Sequence, residues 1–177
     1  MNEEIVLEEE AIAEERSADA ERFGAAILHK PICELSSLRP PLCLPPQATV
    51  RSAIDRMREH NIGCVLVEEG GRLVGIFTER DVLTRVAGTD LDLDATPLAA
   101  LMTRAPQSLS AGDLLVYALN EMSIGGFRHI PLVDEAGRPI GVVAMRDVVD
   151  YIVELFRNDV LNLPPTPRHA MHARDGG

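Results

Sequence analysis

The side chains with the clearest chemical potential lie in two similar stretches of this 177-residue chain. Residues 75–81 read GIFTERD and residues 141–147 read GVVAMRD, so each stretch ends in arginine and aspartate behind an apolar run. Thr78 and Asp81 have the spacing of a capping box, in which a hydroxyl and a carboxylate satisfy backbone N–H groups at a helix start. The same position suits a bound anion, because free N–H groups and the helix dipole meet there.

The second stretch bears on which of these two interpretations holds. It keeps Asp147 but has no hydroxyl at position 144, which predicts that capping is not the shared role of the aspartates. Arg80 and Arg146 precede the two aspartates, and Arg128 and His129 open an apolar segment in the second half of the chain. Exposure to solvent would explain Arg128 and His129, and pairing with the neighbouring aspartates would explain Arg80 and Arg146.

The elements that must position these residues repeat along the chain. The first copy predicts an amphipathic helix capped by Thr49, then two strands and a short helix, over residues 64–67, 73–77 and 79–87. In that short helix Leu83 is predicted to face inward. The second copy has a similar helix followed by elements over residues 129–133, 140–144 and 146–156. Each copy is too small to cover its own sheet, so we expect one α+β unit with pseudo-twofold symmetry and two related clefts.

We expect four segments along the chain. These are an acidic, helical extension (residues 1–29), a first repeat (30–90), a second repeat (91–157) and a proline-rich extended tail (158–177). Nine acids and two arginines fall in residues 1–22, so most of the net charge of -11 lies at that end. Helix propensity is high there. The prolines and final glycines of the tail favour extended chain.

Composition and spacing exclude several functions. The negative net charge and the 3% aromatic content disfavour a nucleic-acid interface. Cys33, Cys43 and Cys64 have neither disulfide nor zinc-ligand spacing. No apolar run approaches the length of a membrane span, and the acidic N-terminus is unlike a signal peptide, so a cytoplasmic location is expected. No nucleophile and base pair stands out, so the chain is not expected to be an enzyme.

At this point the motifs can be compared with a known family. The segments GIFTERDVL and RHIPLVDEAGRPIGVVAMRDVVD resemble a tandem pair of cystathionine-β-synthase (CBS) domains, over roughly residues 30–157. The resemblance implies a non-catalytic regulatory module that binds an adenosine-containing nucleotide, with AMP, ADP and ATP as the leading ligands. It implies no required cofactor and no metal. It also implies a homodimer and a separate regulated protein as partners.

The resemblance further implies which residues contact the ligand. In the family's pattern the motif aspartate takes the ribose hydroxyls, the Thr or Ser assists, and basic residues of the opposite repeat meet the phosphates. The residues so implied for the first site are Thr78, Asp81, Arg128, His129 and Arg146. Those implied for a weaker second site are Asp147, Arg80, Ile62 and Gly63. The alternative is a ligand-free dimerisation scaffold in which both clefts stay empty.

Overall fold

The structure is a computed structural model, and it describes residues 24–25 and 28–155. The predicted acidic extension therefore lies outside the described residues except at its last few positions. The proline-rich tail over residues 158–177 lies outside them entirely.

The first repeat follows the predicted order of elements. Strand β1 (Cys43–Leu44) leads into helix α1 (Val50–His60), whose N-cap Thr49 accepts a hydrogen bond from the Ser52 N–H at 3.1 Å. Strands β2 (Cys64–Glu69) and β3 (Arg72–Thr78) come next. The helix that follows begins as one α-helical turn, α2 (Glu79–Asp81), and continues as a π-helix (Val82–Val86). The predicted Thr49 cap is confirmed.

The second repeat has the same layout after a connecting segment. The connection consists of the short helix α3 (Leu98–Leu101) and strand β4 (Thr103–Arg104). The repeat itself consists of strand β5 (Leu109–Ser110), helix α4 (Leu115–Gly125), strand β6 (His129–Val133), strand β7 (Pro139–Ala144) and helix α5 (Met145–Leu155). The sheets have the orders β1-β2-β3-β4 and β5-β6-β7. The first strand of each is parallel to the second, and the second is antiparallel to the third. The predicted α+β architecture of two repeats is confirmed.

The two repeats interlock through exchanged segments. Leu98 packs in the core of the first repeat, although it lies at the start of the second, and its N–H donates to the Ala48 carbonyl. Ile32 packs in the core of the second repeat, where the Leu115 N–H donates to the Lys30 carbonyl. The segment that precedes each repeat therefore completes the hydrophobic core of the other repeat. This arrangement supplies the cover that neither copy has on its own.

A third apolar cluster joins the two sheets. Leu66 and Ile76 of the first sheet are buried, and Val142 of the second sheet packs against their cluster. The Leu73 N–H also donates to the Gly137 carbonyl at 3.0 Å. The two sheets are therefore held together as one unit.

The prediction that Leu83 faces inward is wrong. Its side chain is 73% exposed, whereas Val86 is buried and Val82 packs against the same core. Val82 and Val86 are four residues apart and share one face of the turn, so Leu83 is rotated away from it. The Ala87 N–H donates to the Val82 carbonyl, the five-residue spacing that defines the π-helical turn.

Candidate functional site

A cavity of about 390 Å³ lies beside the start of α2, and both repeats line it. This volume is in the range of small-molecule sites, roughly 300–1,000 Å³. The lining comes from β3 and α2, from the segment around β4, and from the residues that lead into β6. It comprises Ile76, Thr78, Glu79, Arg80, Asp81, Thr84, Arg85, Thr103, Ala105, Pro106, Gln107, Phe127, Arg128 and His129.

The end of β3 is shaped by the close packing of its glycine. A Cβ built on Gly75 would lie 2.5 Å from the Met102 sulfur and 3.1 Å from the Thr103 carbonyl oxygen, so a larger residue would force this segment to shift. Met102 is itself buried in the first core. The glycine therefore lets the segment that carries β4 approach β3, and this approach forms one wall of the cavity.

Thr78 and Asp81 form a complete capping box in the cavity wall. The Asp81 Oδ2 accepts from the Thr78 backbone N–H at 2.9 Å and from its hydroxyl at 2.7 Å. The Asp81 N–H donates to the Thr78 hydroxyl at 3.3 Å. Asp81 is 8% exposed, and the Arg85 Nε lies 3.4 Å from its other oxygen, Oδ1. A carboxylate has about four acceptor positions, so this one keeps capacity for further donors in the cavity.

Asp147 caps its helix in the same way, which corrects the interpretation drawn from the sequence. Its Oδ2 accepts from the Ala144 backbone N–H at 2.7 Å. A carboxylate can satisfy that N–H without a hydroxyl at the cap position, so capping is shared by both aspartates. The second copy lacks only the reciprocal bonds that the Thr78 hydroxyl supplies.

The second repeat contributes Arg128 and His129 to the same cavity. The Arg128 Nη2 lies 3.0 Å from the Glu79 Oε1, so an ion pair crosses from one repeat to the other. The His129 ring packs against Gly63 of the first repeat, because a Cβ built there would lie 2.8 Å from the His129 Nε2. The structure thus brings four of the five residues predicted for the first site to one place: Thr78, Asp81, Arg128 and His129.

Burial lowers the pKa of His129 below its ordinary value. Glu79 opposes this effect, whereas Arg128 adds to it, with smaller contributions from Asp147 and Arg80. Desolvation is therefore the main reason why this imidazole resists protonation.

This lowered pKa predicts how stability depends on pH. In the unfolded chain the imidazole has a pKa of about 6.5. Below that pH the unfolded chain binds a proton that the folded chain binds less readily, so acid favours unfolding. We expect the melting temperature to fall between pH 7.5 and pH 5.5, and to fall less in His129→Gln. Calorimetric melting of both proteins across this range checks it. Parallel curves for the two proteins would contradict it.

Arg80 and Arg146, which precede the two aspartates, differ in their position relative to the Thr78 cavity. Arg80 lines the Thr78 cavity, and its guanidinium donates to the carbonyl of Gly126, the left-handed C-cap of α4. A cation at that helix end is favourable. Arg146 is not part of the cavity lining, and its Nε lies 3.6 Å from the Asp150 carboxylate four residues on. Its phosphate contact stays a prediction.

The weaker second site also stays a prediction. Ile62 is 37% exposed, and Gly63 lies against the His129 ring rather than in an open cleft. Asp147 is half-buried and occupied with its cap. These residues offer fewer polar groups to a ligand than the Thr78 cavity does.

Several residues of the cavity were not predicted from the sequence. Arg85 follows Asp81 by four residues, and this spacing places the two side chains on one helix face. The spacing could therefore have identified Arg85 as a neighbour of Asp81 in the cavity. Thr103 and Gln107 carry no such signal, because only the interlocked connection brings them to the cavity, and Phe127 lines it from the loop that leads into β6. Ala105 has a φ of 43°, an uncommon conformation for a residue with a Cβ, and its N–H donates to the Val74 carbonyl.

The described residues offer little to other chemistries. Burial raises the pKa of Cys64 to about 12 and that of Cys43 to about 11, so both thiols are protonated at neutral pH. Within residues 24–25 and 28–155, no group of three or more His, Cys, Asp or Glu could hold a metal ion. Over the same residues, no helix has the length and hydropathy needed to cross a bilayer.

Known proteins share both the sequence pattern and the fold. An uncharacterised 17.7 kDa protein of Acidianus ambivalens is 32% identical over 111 residues, which cover 62% of this chain and 66% of that protein. A CBS domain-containing protein of Arabidopsis thaliana is 32% identical over 108 residues, which cover 60% of this chain and 19% of that protein. The chain thus matches only part of the length of these curated relatives.

A solved structure shows the same arrangement of both repeats. The CBS domain protein from Pyrobaculum aerophilum complexed with AMP aligns with a TM-score of 0.62 and 28% identity, over 72% of this chain and 98% of that one. The family model described as CBS domain matches residues 33–88 and again residues 98–154. Two matched copies over most of the chain, with the interlocked α+β fold, show that this chain belongs to the CBS domain family and carries a tandem CBS pair.

Proposed function

We propose that this CBS pair is a non-catalytic regulatory module that binds an adenosine nucleotide, AMP, ADP or ATP, in the cavity beside α2. One observation carries the proposal. The capping pair Thr78 and Asp81 of one repeat shares a single cavity with Arg128 and His129 of the other. A ribose and a phosphate need these two kinds of group within the length of one nucleotide.

The proposed contacts follow from the chemistry of these side chains. The Asp81 carboxylate accepts hydrogen bonds from the ribose hydroxyls, with the Thr78 hydroxyl beside it. Arg128 and His129 donate to the phosphate, and arginine is well suited to this role. The relative from Pyrobaculum aerophilum, complexed with AMP, supports this class of ligand.

Calorimetric titration of the full chain with AMP, ADP, ATP, NAD and S-adenosylmethionine tests the proposal. We expect saturable binding of at least one adenine nucleotide, at one molecule per chain, because the Thr78 cavity is better furnished than the Asp147 side. Absence of binding by all five compounds would rule out the nucleotide proposal.

A ligand-free scaffold is the second candidate function, and one observation favours it. Each arginine of the cavity lining already has a partner: Arg80 with the Gly126 carbonyl, Arg85 with Asp81, and Arg128 with Glu79. The arginines of an empty cleft therefore all have a hydrogen-bond or ion-pair partner without a ligand. The same titration separates the candidates, since a scaffold gives no binding with any of the five compounds.

We also propose that the module self-associates through the outer faces of α4 and α5. These two helices are in contact, and each exposes apolar side chains at helical spacing. Tyr117 and Ile124 of α4 are 55% and 78% exposed, and Val149 and Val153 of α5 are 50% and 44% exposed. Exposed apolar surface of this kind marks an interaction site.

Light scattering after size exclusion tests self-association. We expect the mass of two chains for the wild type and of one chain for the double variant Val149→Lys, Val153→Lys, because two charges would have to be desolvated in the interface. Leu91→Lys, an exposed apolar position outside these helices, should keep the mass of two chains. A wild-type mass of one chain would contradict the proposal.

A further inference from the structure

Glu79 lies beside the two side chains that we propose to bind the ligand's phosphate. It lines the cavity, and its carboxylate pairs with Arg128 of the other repeat at 3.0 Å. A Cβ built on Gly63 serves as a common reference point for Glu79 and His129. The Glu79 carboxyl carbon lies 3.5 Å from it and the His129 Nε2 lies 2.8 Å from it. The carboxylate thus sits beside both side chains proposed to bind phosphate.

The backbone fixes Glu79 in this place. It is the first residue of α2, directly after the Thr78 cap, and its N–H donates to the Gly63 carbonyl at 2.9 Å. Only the side chain is free to move, and it is about half exposed at 56%. The carboxylate can therefore leave Arg128 without any change in the fold.

The partners of the lining cations point to Arg128 as the group that changes partner. Arg80 is bound to a helix-end carbonyl, and Arg85 is bound to the Leu101 carbonyl and to Asp81, the proposed ribose ligand. Arg128 differs from both, because its partner is an anion with no other described role. A phosphate offers it the same charge-assisted hydrogen bonds as that carboxylate.

We propose that Glu79 is an internal competitor of the ligand phosphate and sets the preference of this cavity among adenosine compounds. This inference rests on the proposed function. A phosphate must displace Glu79 from Arg128 and then remain close to its negative charge. Adenosine, which has no phosphate, meets neither cost. Glu79 therefore weakens the binding of phosphorylated ligands selectively.

Titration calorimetry with AMP and with adenosine tests this in the wild type, Glu79→Gln and Glu135→Gln. Removing one charge a few ångströms from a phosphate near the surface is expected to tighten AMP binding about five- to tenfold. Adenosine binding should stay within about twofold. Glu135→Gln removes the same charge at an exposed turn of the second repeat and should change neither affinity. Thermal melting of each variant verifies folding.

Two results overturn the inference, and they differ from a failure of the proposed function. Unchanged or weaker AMP binding in Glu79→Gln, with clear binding by the wild type, would show that Glu79 does not compete. An equal gain for AMP and adenosine would show a general effect on the cavity. If no protein binds either compound or any other adenine nucleotide, the proposed function itself fails.

Discussion

Asp81→Ala is expected to lower the affinity for AMP by about a hundredfold or more, since each hydrogen bond to a charged group contributes about 1.5–3 kcal/mol and the ribose offers two. The carboxylate is 8% exposed and lies in the cavity wall. The Thr78 hydroxyl, which the substitution frees from the carboxylate, is a single neutral group and can replace only part of what the charged carboxylate accepts. Calorimetric titration of the variant with AMP measures the loss.

Asp147→Ala is the matched control for this experiment. Both aspartates accept from a backbone N–H at the start of a helix, at 2.9 Å for Asp81 and 2.7 Å for Asp147. Loss of such a cap costs about 0.5–2 kcal/mol of stability, so both variants should melt at lower temperature. Only Asp81→Ala should lose affinity. Equal losses of affinity in both variants would indicate a general effect of destabilisation and would contradict the assigned role.

Arg128→Gln is expected to weaken AMP binding about tenfold, near the low end for a charged hydrogen bond because the side chain is 55% exposed. The variant loses the donor and leaves the Glu79 carboxylate unpaired beside the phosphate. Adenosine should bind as it does to the wild type. Titration of the variant with both compounds separates the phosphate contribution from that of the rest of the ligand.

Arg146→Gln tests whether Arg146 contacts the phosphate, as the resemblance to the family implied. The Arg146 guanidinium pairs with Asp150 outside the cavity lining, so we expect the AMP affinity to change by less than about twofold. A loss as large as that of Arg128→Gln would restore Arg146 to the phosphate site. An unchanged affinity in Arg128→Gln would remove Arg128 from it.

Local patterns in the sequence predicted the elements well, because the physics that forms them is local. The Thr49 cap, the strand over residues 129–133 and the capping box of Thr78 and Asp81 each depend on a few neighbouring residues. Leu83 was predicted wrongly because an apolar residue in a short helix has no spacing that reveals its face. Its exposure depends on the π-helical turn and on which core the helix meets.

The cavity was only partly predictable, because it depends on how the repeats interlock. Residues on the motif itself, Thr78 and Asp81, were found from spacing, and Arg128 and His129 from the resemblance. Thr103 and Gln107 reach the cavity through the exchanged segment, which no local pattern encodes. Arg80 reaches the Gly126 carbonyl of the other repeat for the same reason.

The role of Asp147 shows the limit of inference from a missing side chain. The absent hydroxyl at Ala144 was taken to mean that the aspartate does not cap, yet the carboxylate bonds the Ala144 N–H directly. Thus the two copies share a structural role for the aspartate. We therefore expect ligand binding at the two copies to differ through what faces each aspartate across the cleft.

A crystal structure of the full chain grown with saturating AMP would show the ligand contacts themselves. We expect one AMP per chain in the cavity beside α2, with ribose hydroxyls within hydrogen-bond distance of the Asp81 carboxylate and the phosphate on Arg128. We also expect Glu79 to have left Arg128, from which it is now 3.0 Å away. AMP bound against Asp147 instead, or no AMP in either cleft, would contradict the account.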